Sequence, residues 1–232
     1  MEEGGRNMSR AFSVTCLLLF LLQGHVQAAG ELSNILEGIR KNYVNLPGLT
    51  LSYEREVITT TMAMLGDQAK GDLATGLMYF KHPYYLKLAQ ETPKPETVIA
   101  NEDTLWWYIP DKKRVYEYSA LEFGKELRLL SDIFRGLIQV EKRFQVTLLE
   151  PSELGGNQIE LIPNPPLQNI ERIILTVTKE HDIRVVGIRY QLGSMTLFTL
   201  KNVTEKKDFE KDFFNFIVPE GVQLVKEKSS LP

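Results

Sequence analysis

The sequence has very little cysteine and very little histidine: Cys16, and His25, His82 and His181, in 232 residues. A lone thiol excludes an intramolecular disulfide framework and any cysteine-built metal cluster. His82 and His181 lie far apart and offer neither a catalytic triad nor a metal-ligand spacing. GxSxG, HExxH, a Walker-type Gly-Lys-Ser/Thr loop and GxGxxG are all missing. No spacing among the acidic residues singles out a catalytic pair. The chain is therefore expected not to be an enzyme and to hold no cofactor and no metal. An excess of one charge is lacking too, with 27 basic against 30 acidic residues and a net charge of -3. That leaves no polyanion footprint, and nucleic acid is excluded as the first partner class. A hydrophobic share of 43% and a charged share of 25% are those of a folded globular protein. No repeat and no interdomain linker interrupts the chain.

The one long apolar run is Ala11–Leu22 (AFSVTCLLLFLL), too short for a stable membrane anchor. Arg6 and Arg10 precede it, and Val26-Gln27-Ala28 places small residues where a signal peptidase reads. Residues 1–28 are read as a cleaved secretory signal peptide, with Met8 an alternative start, and residues 29–232 as one domain. Cleavage removes Cys16 and His25, and it removes Glu2 and Glu3 along with Arg6 and Arg10, so the net charge is unchanged. The exported chain is then free of cysteine and depends on packing alone.

Glu31–Tyr43 carries Leu32, Ile35, Leu36, Ile39 and Tyr43 at helical spacing, and Pro47-Gly48 ends that helix. Short strand signals follow, at Leu49–Tyr53, Leu77–Lys81, Tyr84–Gln90, Thr97–Ala100, Thr104–Ile109 and Arg114–Tyr118. Their connections are too short for crossover helices, so the sheet is expected to be an antiparallel meander. Between Ser119 and Phe144, apolar residues return to helical spacing, and Gly124 and Gly136 divide the stretch. Strands resume at Gln145–Leu149, Gln158–Ile162, Ile170–Thr178, Ile183–Tyr190 and Met195–Lys201, with Phe213–Val218 and Val222–Val225 at the end. The predicted fold is mainly β: a single curved antiparallel incomplete barrel of about ten or eleven strands. An N-terminal helix and an inserted helical lid cap its open concave side. Nine aromatics crowd between Tyr79 and Tyr118, and Thr104–Ile109 (TLWWYI) is apolar on both faces. Either an aromatic-rich core or a large apolar cavity satisfies that pattern.

An ordered set of segments gives the chain a family resemblance. It comprises Gly76–Pro83 (GLMYFKHP), Pro93, Asp103–Pro110 (DTLWWYIP), Arg114–Tyr118, Ile159–Pro165 (IELIPNP), Asn202, Phe214–Phe216 and Val218–Val225 (VPEGVQLV). In this order they resemble the LolA-type outer-membrane lipoprotein carriers of the Gram-negative periplasm. The resemblance implies a periplasmic, monomeric carrier that shields lipoprotein acyl chains in an apolar cavity. It implies transfer from an inner-membrane exporter to an outer-membrane acceptor. A periplasmic lipid or lipoprotein sensor, or a carrier of another lipid, is the alternative on the same fold. Two positions depart from the family pattern. His82 stands where the family has an arginine that latches the lid, and Glu102 stands where a glycine is usual. On that resemblance His82 is a weakened lid latch, and arginine in its place should tighten the closed form. If His82 turns inward as its counterpart does, alternation places Met78, Phe80, Leu86 and Leu88 on the cavity face. Matching of the neighbouring motifs adds Leu51, Tyr53, Val98, Ala100, Trp106, Tyr108, Tyr116 and Tyr118. On the lid it adds Leu127, Leu130, Ile133 and Phe134, and it sets Leu86 near the mouth.

Overall fold

The computed structural model describes residues 30–64, 71–120, 125–153, 155–167 and 169–226, with the backbone alone at 63 and 125–127. The segment read as a signal peptide lies outside the described residues, as does the side chain of Leu127. Helix α1 (residues 30–43) leads into β1 (Gly48–Ile58), and the short α2 (Thr60–Met64) follows. Next come β2 (Asp72–Lys81), β3 (Tyr85–Thr92), β4 (Glu96–Ala100), β5 (Thr104–Ile109) and β6 (Arg114–Ser119). The insertion then supplies α3 (Lys125–Phe134) and α4 (Val140–Arg143). The chain closes with β7 (Phe144–Leu149), β8 (Asn157–Pro163), β9 (Ile170–Val177), β10 (Ile183–Tyr190), β11 (Met195–Glu205) and β12 (Gln223–Lys226). Among the described residues no helix is long and apolar enough to cross a membrane.

The twelve strands form one sheet in the order β12-β6-β5-β4-β3-β2-β1-β11-β10-β9-β8-β7. Every pairing is antiparallel except β12 with β6. Strands β1–β6 and β7–β11 each run as a meander of sequence neighbours; β1 meets β11 and joins the two, and β12 adds beside β6. The β12 and β7 edges do not pair, so the barrel is incomplete, and the insertion spans the sequence between β6 and β7. Within that insertion Gly136, Leu137 and Gln139 have φ of 77°, 53° and 57°, which ends α3 and turns the chain into α4.

The core lies between the concave face and the helices. Ile35, Leu36, Ile39 and Tyr43 of α1 and Leu129, Leu130, Ile133 and Phe134 of α3 join one cluster with residues of β1, β2, β3 and β7–β11. Each fully buried side chain of that size stabilises the fold by roughly 1.5–3 kcal/mol. Helix α1 is tied to the β9–β10 turn: the Asn42 amide donates to the Glu180 carbonyl at 2.8 Å, and the Ile183 N–H donates to the Tyr43 hydroxyl at 3.1 Å. Gly38 lies under the His181 imidazole, where a Cβ would come within 2.2 Å of the ring.

The convex face has its own cover. Residues 206–222, predicted in part as a strand over Phe213–Val218, form an irregular strap instead. Phe213 meets Tyr79 at 5.0 Å, Phe214 meets Tyr85 at 5.6 Å and Phe216 meets Tyr108 at 5.2 Å between ring centroids. The Lys87 ammonium stands 4.3 Å from the Phe213 ring centroid. Phe213 and Phe214 are consecutive yet both reach the convex face, which the alternation of a strand would not allow. Part of the aromatic excess in the sequence is therefore spent on the outside of the sheet.

Candidate functional site

Register assigns the predicted site residues to faces. One row across the sheet reads Leu51, Met78, Leu88, Val98, Trp107 and Tyr116, and the next reads Leu49, Phe80, Leu86, Ala100, Leu105 and Tyr118. Tyr53 stands opposite Gly76 one step further along. All of these share the concave face, because residues directly opposite in an antiparallel pair project to the same side. Leu51, Tyr53, Met78, Phe80, Leu86 and Leu88 are buried, whereas Val98, Trp107, Tyr116 and Tyr118 are only half-buried. The concave face thus changes along the sheet from a filled core to a strip of accessible aromatic surface over β4–β6. The Trp107 and Tyr116 rings are 5.7 Å apart, and Tyr116 stacks on Tyr118 at 6.2 Å.

Trp106 and Tyr108, expected on this face, are on the other one. Trp106 pairs with Ile99 and Glu117, Tyr108 pairs with Thr97 and Val115, and Tyr108 lies under the strap. The cause is local. The Asn101 side-chain carbonyl accepts from the N–H groups of Asp103 and Thr104, at 3.0 and 2.9 Å, and the Asn101 N–H donates to the Thr104 carbonyl at 3.0 Å. This tight turn sets Leu105 opposite Ala100 and Trp107 opposite Val98. A strand apolar on both faces gave alternation nothing with which to choose between the two tryptophans. Trp107→Ala is expected to weaken uptake of an apolar fluorescent probe roughly tenfold, since an aromatic of this size buries surface worth over 1 kcal/mol. Trp106→Ala should leave uptake within about twofold. Equal effects would refute the face assignment.

The lid side chains Leu130, Ile133 and Phe134 are fully buried, and Phe134 meets Phe80 at 5.7 Å. Leu86, expected near the mouth, lies fully buried beneath the helices. At the sheet end below the lid, Tyr84 is held by two lid arginines. The Arg128 and Arg135 guanidinium carbons each stand 4.9 Å from its ring centroid, and Arg135 donates to its hydroxyl at 2.6 Å. Asp132 in turn pairs with Arg135 at 3.6 Å and with Arg143 at 2.6 Å. Nothing in the spacing of Tyr84 in the sequence marked it for this contact, because its partners lie in the insertion.

His82 sits between the lid and α1. Its ring is 5.2 Å from Phe80, it makes a backbone hydrogen bond to Tyr43, and its Nε2 is buried without a partner. Burial holds the imidazole below its ordinary pKa of 6.5, the Arg135 charge adds to that, and the Tyr43 contact opposes both. The closed protein therefore takes up fewer protons here than an open or unfolded chain. Stability from this site is complete above pH 6.5 and declines as pH falls through 6.5 toward the lowered value. His82→Gln should flatten that decline in unfolding midpoints measured from pH 7.5 down to about 5. An unchanged profile would locate the pH dependence elsewhere.

Among the described residues no group of three or more His, Cys, Asp or Glu is placed to hold a metal ion. The comparisons with known proteins agree with the geometry. An outer-membrane lipoprotein carrier protein of Nitrosospira multiformis is 24% identical over 213 residues, covering 90% of this chain and 94% of its own. One from Francisella philomiragia is 20% identical over 196 residues, covering 84% and 90%. An uncharacterized conserved protein from Thermus thermophilus superposes with a TM-score of 0.52 at 9% identity, over 84% of this chain and 98% of its own, which speaks for the fold alone. The family model described as "Outer membrane lipoprotein carrier protein LolA" matches residues 63–217, more than half of the sequence, and the chain belongs to that family.

Proposed function

We propose that this protein is a periplasmic carrier that shelters the acyl chains of lipoproteins against its concave face and passes them from the inner to the outer membrane. The observation that carries the reading is the concave face itself. It is apolar from β7 through β5, covered by two helical elements, and only partly covered over Val98, Trp107, Tyr116 and Tyr118. Acyl chains cost roughly 0.8 kcal/mol per methylene to expose to water, so several long chains need a shelter to cross an aqueous compartment. A soft apolar face with a displaceable cover meets that need without directional chemistry. Lid closure here rests on aromatic packing and on the Tyr84–Arg128–Arg135 contact. Neither requires a covalent step to undo.

On this reading residues 1–28 are removed on export, and residues 29–232 form the carrier domain. An inner-membrane exporter loads it and an outer-membrane acceptor unloads it, each exchange driven by a difference in affinity. The test is native mass spectrometry of the protein recovered from the periplasm. Bound lipoprotein is the expected result. Bound free lipid instead would make it a carrier or sensor of another lipid, and an empty protein under loading conditions would overturn both.

A further inference from the structure

The connections of the sheet fall at two ends, and the two ends differ. At one, α2 links β1 to β2, and the β3–β4, β5–β6, β8–β9 and β10–β11 connections stand in the same row. At the other are the β2–β3, β4–β5, β7–β8 and β9–β10 turns, together with Tyr84 and its two lid arginines. The turns of this second end are acidic: they expose Glu102, Asp103, Glu150, Glu153, Glu180 and Asp182 against Lys179. The first end is not. Its β3–β4 and β5–β6 turns expose Lys94, Lys112 and Lys113 against Asp111, and the strap adds Glu220 as it reaches β6. The described residues of α2 and of the β8–β9 and β10–β11 connections carry no charge. Lys94 pairs with Asp111 at 3.2 Å, whereas Lys112 and Lys113 form no ion pair among the described residues.

The first end also has an apolar tip. Leu192 in the β10–β11 turn is 85% exposed, and Met64 at the close of α2 is 80% exposed. The Thr60 hydroxyl donates to the Leu192 carbonyl at 2.7 Å, which fastens the two connections together. The Gly193 N–H donates to the Tyr190 carbonyl at 2.9 Å, and φ of 86° at Gly193 closes a tight turn that holds Leu192 outward. Leu73, near the start of β2, is half exposed at the same end.

Side chains this exposed contribute little to folding, but burying them at a bilayer boundary gains apolar transfer energy. Cations near an anionic surface add attraction, and acids there would oppose it. The first end therefore suits an anionic bilayer and the second end does not. A bilayer is an extended surface. The β10–β11 and β5–β6 turns are six strand spacings apart, roughly 30 Å along the curved sheet, and can meet one membrane without sharing a ligand.

We propose that this end of the sheet docks on the anionic surface of a lipid bilayer. Met64 and Leu192 enter the headgroup boundary, and Lys112 and Lys113 meet anionic headgroups. The docking surface is separate from the concave face and does not depend on what that face carries. The acidic end, with the Tyr84 contact to the lid, is then turned away from the membrane.

The protein recovered after export is floated with vesicles of phosphatidylcholine alone and of phosphatidylcholine mixed with phosphatidylglycerol. The mixed vesicles should bind it about tenfold more tightly, and high salt should reduce that preference. Met64→Ser/Leu192→Ser should lower binding to the mixed vesicles about tenfold. Lys112→Gln/Lys113→Gln should remove most of the preference for them. All four side chains are exposed, so both variants should keep the fold, which unfolding midpoints check. Should the double serine variant fail to fold, Leu192→Ser alone must lower binding. An environment-sensitive dye attached to Leu192→Cys should brighten with the mixed vesicles, and the same dye on Glu153→Cys, at the acidic end, should not. Binding to neither vesicle would overturn the proposal and leave the tip to a protein partner. Undiminished binding by the serine variants, or equal brightening of the two dyes, would overturn it as well.

Discussion

Leu86→Glu is expected to displace the lid and lower the unfolding midpoint more than any neutral change on the concave face. Leu86 is completely buried, directly opposite Phe80 on β2 and Ala100 on β4. Phe80 in turn packs on Phe134 of the lid. A carboxylate there takes the place of an alkyl group inside the apolar cluster. Leaving a charge buried without a partner costs roughly 3–5 kcal/mol, a large part of the stability of a typical domain. Two routes relieve the cost: water enters as α3 lifts, or the carboxyl takes a proton. The defect should therefore be largest at pH 7.5 and should lessen as pH falls, the opposite direction to the His82 effect. Denaturant unfolding and apolar-probe fluorescence, both at two pH values, read this directly. Leu86→Met serves as the volume-conserving control and should cost less than about 1.5 kcal/mol. A Leu86→Glu protein with an unaltered midpoint and no added probe binding would mean that the concave face is already open to water at this position.

Phe214→Ala should be nearly as destabilising and yet leave the concave face undisturbed. Its ring is 6% exposed and lies 5.6 Å from Tyr85, 5.0 Å from Phe209 and 5.1 Å from Phe213. Truncating a buried phenylalanine costs about 3–5 kcal/mol, part transfer and part cavity. The loss falls on the strap, which leads to β12 and its parallel pairing with β6. Probe uptake by the folded variant should match that of the unaltered protein, because the strap and the lid cover opposite faces. A cost under about 1 kcal/mol would show that the strap only rests on the sheet. Increased uptake would show that the strap supports the concave aromatic strip through β5.

Much of the architecture was legible in the sequence because it depends on local pattern. Helix α1 followed from the spacing of Ile35, Leu36, Ile39 and Tyr43, which meet the core together. The meander followed from turns too short to cross over. The breaks in the insertion followed from Gly136, whose φ of 77° suits glycine. The sheet has twelve strands where ten or eleven were expected, and Phe213–Val218 belongs to the strap. Poorly alternating aromatics resemble a strand because nothing local distinguishes packing across a sheet from packing within one.

By itself the sequence determined that this is a mainly β domain with two helical caps and with segments in the family's order. Periodicity and turn chemistry act between near neighbours, and one chain displays them in full. Only the tertiary structure decided which of two adjacent tryptophans faces inward. The Asn101 turn sets the register there, and a shift of one residue exchanges the two faces. It alone revealed that Tyr84 is gripped by Arg128 and Arg135 of the insertion. Such contacts join residues remote in sequence, and their energies depend on burial and on distance. Neither is a property of residue order.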